Sequence, residues 1–177
     1  MSRLPQKIVA LHRALASAAI PHAFGGALAL AWCTQRARGT IDIDLNVFVD
    51  QNHAASVVAA LPRNVTWSDT DLGTLQRDGQ VRLWWADTPV DVFLNTTEFH
   101  EQVAGRTRIE SFAGENVPFL ACSDLAVFKT FFDRTRDWAD LEEMAAAGAL
   151  DVEYVLGVVV RYLGAVDARV ERLRSLA

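Results

Sequence analysis

Cysteine is scarce in this 177-residue chain, an excess of positive charge is absent, and no long apolar run is found. The two cysteines, Cys33 and Cys122, stand far apart in no metal-like spacing and are too few for a disulfide framework. A reducing compartment, the cytoplasm, is therefore the simplest expectation. Lys and Arg number 17 against 22 Asp and Glu, a formal net charge of −5, and the pI is near 5.3. That sign is wrong for a protein that lives on the phosphate backbone, so non-specific nucleic-acid binding is disfavoured, although a local basic groove stays open. The longest stretch without a charge or a histidine, Ala23 to Gln35, is shorter than the ~20 apolar residues of a membrane span. Arg3, Lys7, His12 and Arg13 interrupt the N-terminal segment, which does not read as a signal peptide. Repeats, low-complexity tracts and linker-like segments are also missing, which points to one domain.

What is present is ordinary globular material: 51% apolar and 22% charged residues. A chain of this length removes roughly 70% of its extended surface from water and needs no staple. Leu4, Ile8, Leu11, Leu15 and Ala18 recur at helical steps and stop before Pro21. His22 to Gly25 reads as a short strand, broken by Gly25-Gly26 ahead of the helix formers Ala27 to Trp32. From Thr40 to Val49 the alternation is strict: Ile41, Ile43, Leu45, Val47 and Val49 face one way, and Asp42, Asp44, Asn46 and Phe48 the other. Asp50 is placed to cap a helix that ends at Pro62. Gln80 to Trp85 and Pro89 to Leu94 have hairpin spacing, with a weaker strand around Arg108 to Phe112. Helices are expected from Ser123 to Phe132, Asp137 to Ala147 and Asp151 onward, with Val166, Val170 and Leu173 continuing the pattern. The expected class is α+β, a mixed sheet flanked by helices. Residues 1–122 would form the α/β core and 123–177 the helices packed on it.

The chemistry is expected where carboxylates collect. Asp42 and Asp44, two apart on one strand, point to one face. Like charges so placed repel unless one is protonated or a hard cation sits between them, and Mg²⁺ takes oxygen ligands of this kind. Asp91 sits in Pro89-Val90-Asp91-Val92-Phe93, where apolar neighbours hold the strand in the core. If the two strands are neighbours, Asp42, Asp44 and Asp91 converge on two Mg²⁺ ions about 3.5–4 Å apart, the clamp of in-line phosphoryl displacement. Gly25-Gly26-Ala27, at a strand-to-helix junction, offers backbone N–H groups for phosphate. Taken alone, each motif has a plain structural reading: the polar face of a strand, a turn, a loop. Their order along the chain is what favours the site.

These motifs, with Arg38-Gly39-Thr40 leading into Asp42-Ile43-Asp44 and with Val90-Asp91-Val92, resemble the nucleotidyltransferase fold of the DNA polymerase beta superfamily. The similarity is nearest to AbiEii-type toxins and small antibiotic nucleotidyltransferases. It covers residues 21 to 141, and Lys129, Asp133, Arg134, Arg136, Asp137 and Asp140 resemble its later Lys-x-x-x-Asp and Arg-Asp-x-x-Asp signatures. The resemblance implies transfer of a nucleoside monophosphate from a triphosphate to a hydroxyl, with release of pyrophosphate. Asp42, Asp44 and Asp91 would bind metal and act in catalysis. Gly25, Gly26, Ala27, Arg38, Thr40 and Lys129 would bind nucleotide. For Lys129 the alternative is a lysine whose stem lies on the core and whose head reaches water. The acceptor stays open between an RNA 3′ end, an aminoglycoside-like polycation and a protein side chain, and the acidic balance favours a small or protein acceptor. A non-catalytic, antitoxin-like binding protein of the same fold is the alternative. The four histidines have no ligand-like spacing, Trp67, Trp84 and Trp85 are expected at the core or its rim, and oligomeric state is not legible.

Overall fold

The computed structural model describes residues 3–37 and 39–177, and these divide into two compact units, residues 3–26 with 39–120 and residues 27–37 with 121–177. Chain order is α1 (Leu4–Ser17), β1 (His22–Phe24), α2 (Gly26–Thr34), β2 (Ile43–Asp50), α3 (Ala54–Ala60), β3 (Val65–Thr66), α4 (Asp69–Asp78), β4 (Gln80–Trp85), β5 (Thr88–Asn95), α5 (Glu98–Val103), β6 (Arg108–Phe112), β7 (Glu115–Phe119), α6 (Cys122–Phe132), α7 (Thr135–Ala146), α8 (Val152–Leu163) and α9 (Ala168–Arg174).

The first unit is built on a mixed sheet of order β3-β4-β5-β2-β1-β7-β6. β2 and β5 run parallel, as do β1 and β7, and the remaining pairs are antiparallel. Period-2 alternation explains which face is apolar: Ile43, Leu45 and Val47 of β2 and Val90, Val92 and Leu94 of β5 are fully buried or nearly so, which leaves Asp44 and Asp91 on the opposite face. The β4–β5 hairpin turns on Ala86 and Asp87, with Ala86 at φ 53°. Lys7, buried on α1, secures that turn. Its ammonium donates to the Trp85 carbonyl at 3.0 Å and to Thr88 Oγ1 at 2.6 Å, and lies 3.5 Å from Asp87.

The second unit contains α2 beyond Gly26 and the helices α6 to α9. Trp138, Leu141, Val155, Val159, Val170 and Leu173 are at most 1% exposed. Tyr154 donates its hydroxyl to the buried Asp124 at 2.9 Å. The cysteines correct the reading from sequence. Cys33 on α2 and Cys122 at the start of α6 are joined in a disulfide, with Cα atoms 5.6 Å apart. Their separation of 89 residues hid the pairing, since nothing local places α2 beside α6.

Other differences have local causes. β2 starts at Ile43 rather than Thr40, because Thr40 and Asp42 close a small turn on each other, and Ile41 is left 79% exposed. Asp50 does act as a cap, but for one 3₁₀ turn (Gln51–His53) that precedes α3. α4 carries Gly73 and buries only Leu75, so it shows no apolar stripe; the reciprocal Ser68–Asp71 capping box defines its start. β7 contains Pro118, a residue that argues against a strand interior, yet its pairing with β1 is confined to Phe24↔Phe119. β3 and α5 are likewise unannounced by pattern. Among the described residues no helix is long and apolar enough to cross a membrane.

Candidate active site

The glycine turn and the Asp-x-Asp strand form one structure. β1 pairs antiparallel with β2, and the Gly25 N–H donates to the Asp44 carbonyl at 2.9 Å. Gly26 opens α2 at φ +54°, and a Cβ there would stand 1.8 Å from Asp44 Oδ2; one at Gly25 would stand 2.9 Å from Asn46 Nδ2. The Asp44 carboxylate thus occupies the space a side chain at position 26 would need. Gly26 is also the first residue of a nine-residue helix. Ala27, the third member of the motif, follows on α2 as the first residue of the second unit.

Asp91 is the direct neighbour of Asp44 across the parallel β2–β5 pair. On its other side Arg82 of β4 stands opposite Asp91. Partners in register share a face, so Asp44, Asp91 and Arg82 form one row across three adjacent strands. Arg82 grips Asp91 with a fork, Nε to Oδ1 at 2.7 Å and the second guanidinium nitrogen to Oδ2 at 2.7 Å. The guanidinium is held above its ordinary range, first by these hydrogen bonds, which outweigh the opposing effect of burial, and further by the charges of Asp91, Asp42 and Asp44. Sequence reasoning missed Arg82, though a signal existed. The two-residue turn sets Trp85 opposite Thr88, and counting three residues outward on each strand sets Arg82 opposite Asp91.

Asp42 precedes β2, half-buried. Thr40 donates its hydroxyl to Asp42 Oδ1 at 2.5 Å and accepts from the Asp42 N–H at 3.3 Å, so Thr40 orients the carboxylate. Arg38 lies outside the described residues. Lys129 lies on α6 in the second unit, 6% exposed, donating to Asp140 Oδ2 at 2.6 Å and 3.6 Å from Asp137 Oδ1. Asp137 also accepts from the Arg134 guanidinium, Nε to Oδ2 at 2.6 Å. The late Lys and Asp signatures therefore meet as one buried ion-pair cluster.

As donors for a metal ion, the three carboxylates are of the right chemistry, since Mg²⁺ takes oxygen, and the strand register sets two of them side by side. They do not form a finished cage: among the described residues no group of three or more His, Cys, Asp or Glu side chains is gathered as a metal-binding cluster. The arrangement is carboxylates of fitting kind on one face, with both oxygens of Asp91 engaged by a guanidinium.

No family model and no curated protein matches this chain. Solved structures do. The antibiotic-resistance factor ANT(2″)-Ia, determined in complex with adenylyl-2″-tobramycin, matches over 97% of this chain and 97% of its own, with a TM-score of 0.59 and 16% identity. The fold is the nucleotidyltransferase fold. The solution structure of ANT(2″)-Ia matches 97% of this chain and 89% of its own at a TM-score of 0.56. An antigenic nucleotidyltransferase-like protein from Paracoccidioides brasiliensis matches 94% of this chain and 92% of its own at a TM-score of 0.51 and 16% identity. On this nucleotidyltransferase fold, Arg82, Asp91 and Asp44 lie on the consecutive neighbouring strands β4, β5 and β2, and Gly26 follows β1, the next strand of the sheet.

Proposed function

We propose that this protein is a nucleotidyltransferase that moves a nucleoside monophosphate from a triphosphate to a hydroxyl acceptor. The observation that carries the reading is the interlock of Gly26 with Asp44, and of Asp44 with Asp91, on a sheet of nucleotidyltransferase fold. The backbone N–H groups of Gly25, Gly26 and Ala27 hold the β- and γ-phosphates at the start of α2, where no Cβ intervenes before Ala27. The acceptor oxygen attacks the α-phosphorus; the bond from that phosphorus to the bridging oxygen breaks, and pyrophosphate leaves. Asp91 is the carboxylate assigned to take the acceptor proton, and Thr40 keeps Asp42 oriented. Two Mg²⁺ ions, when bound to Asp42, Asp44 and Asp91, would supply the positive charge that neutralises the phosphates and the developing transition-state charge. Arg38 and Lys129 are further nucleotide-binding assignments that rest on the sequence resemblance.

A small, cationic hydroxyl acceptor fits the acidic row and the net charge of −5 better than nucleic acid does, and a protein side chain is the next candidate. The enzymatic reading is preferred to an antitoxin-like binding role because all three carboxylates and the glycine turn are intact. The Cys33–Cys122 disulfide removes the ground on which the cytoplasm was expected. The test is incubation with Mg²⁺ and each α-labelled nucleoside triphosphate, with tobramycin or a cell extract as acceptor source. Label is expected on an acceptor with wild-type protein and not with Asp44→Asn. No transfer, together with identical nucleotide binding by both proteins, would sink the proposal.

A further inference from the structure

We infer that Arg82 is the resident cation of this site, holding Asp91 where a divalent ion would bind and yielding it when the ion arrives. The inference rests on the metal-binding role proposed above for Asp42, Asp44 and Asp91. Asp44 and Asp91 stand directly opposite each other on adjacent strands, a like-charge pair that destabilises a sheet unless a cation is shared. In the absence of metal, Arg82 is that cation. Its fork engages both oxygens of Asp91 at 2.7 Å, a geometry in which guanidinium matches a carboxylate better than a point charge does. Those are the oxygens a metal ion would coordinate, so guanidinium and ion compete for the same lone pairs and also repel each other.

Exposure decides which partner moves. The Asp91 side chain is 16% exposed and held within β5, whereas the Arg82 side chain is 52% exposed on β4. Arg82 can swing into water without desolvation cost; Asp91 cannot leave the strand. The competition makes loading of the site a replacement of one cation by another, so the acidic row is never left uncompensated. An ordinary cross-strand ion pair would stabilise the hairpin and leave metal affinity alone, and this difference separates the two readings.

The experiment uses Mn²⁺ alone as the probe, with free ion followed by electron paramagnetic resonance, on the full chain as wild type, Arg82→Met, Arg82→Lys, Asp44→Asn and Asp91→Asn. Removing the competitor is expected to tighten Mn²⁺ binding in R82M by about fivefold, the upper range of an exposed ion pair. R82K, which keeps the charge and loses the fork, should fall between R82M and wild type. Both aspartate variants should bind more weakly than wild type. A merely structural Arg82 predicts unchanged or weaker binding in R82M. If D44N loses binding while R82M equals or falls below wild type, the inference is overturned and the metal-site reading stands. If none of the five proteins binds Mn²⁺, the metal-site reading falls and this inference with it.

Discussion

Replacing Gly26 by alanine tests whether the glycine turn and Asp44 are one device. The new Cβ must be accommodated at φ +54°, 1.8 Å from Asp44 Oδ2 and 2.6 Å from its Cγ. The left-handed backbone costs an alanine about 1–2 kcal/mol. Relieving the clash then requires either an off-rotamer Asp44, at about 0.5–1.5 kcal/mol, or a shifted start to α2. A shifted start would also strain the Gly25-to-Asp44 hydrogen bond, worth about 1 kcal/mol. By either route the loss is about 1.5–3.5 kcal/mol, read as a lower urea midpoint at constant m-value. Because the relief displaces the carboxylate itself, Mn²⁺ and nucleotide binding should weaken as well. The control is Gly73→Ala in the middle of α4, where a Cβ meets nothing within 4 Å; there alanine should stabilise by about 0.5–1 kcal/mol. A G26A protein as stable as wild type, with unaltered Mn²⁺ affinity, would refute the reasoning.

Two further expectations concern stability. His100 of α5 is 4% exposed, packed edge-on against Phe48, and burial lowers its pKa from 6.5 to about 4. The unfolded chain therefore binds this proton at higher pH than the folded one, and stability is lost as pH falls from about 6.5 through about 4. The shift is worth about 3 kcal/mol in all. In H100L the slope of stability against pH over that window should flatten, even if absolute stability changes; an unchanged slope in urea titrations would assign the acid sensitivity elsewhere. The Cys33–Cys122 bond closes a loop with a sequence separation of 89, for which chain entropy predicts a contribution of about 4–5 kcal/mol. Reduction with a phosphine should lower the unfolding midpoint of the oxidised protein and release two thiols. Two free thiols before reduction, or a midpoint that does not move, would remove the bond from the stability account.

Several features of this protein were legible in the amino-acid order because they depend on neighbours in the chain. The helical stripe of Ile8, Leu11 and Leu15, the alternation that puts Asp44 opposite in sense to Ile43 and Leu45, and the hairpin around Ala86-Asp87 follow from the 3.6- and 2-residue periods. Hairpin register even contains the Arg82–Asp91 pair, although reading it requires counting across the turn rather than along the strand. The Asp-x-Asp strand and Gly25-Gly26 could be named from local chemistry. Their dependence on each other could not, since the space a Cβ at Gly26 would need is filled by a residue that returns eighteen positions later.

The tertiary structure decided what distance in sequence conceals. Parallel pairing of β2 with β5, which makes Asp44 and Asp91 neighbours, spans a connection that holds two helices and two strands, so no local period reports it. The same holds for Cys33 with Cys122 and for Lys129 with Asp137 and Asp140, whose partners are chosen by helix packing. By itself, then, the sequence determined which side chains carry charge, which backbone positions are free of a Cβ and which segments present an apolar face, because these are properties of short stretches. Only the fold decided which charges stand together, because pairing of distant strands is set by closure of the whole sheet over its core.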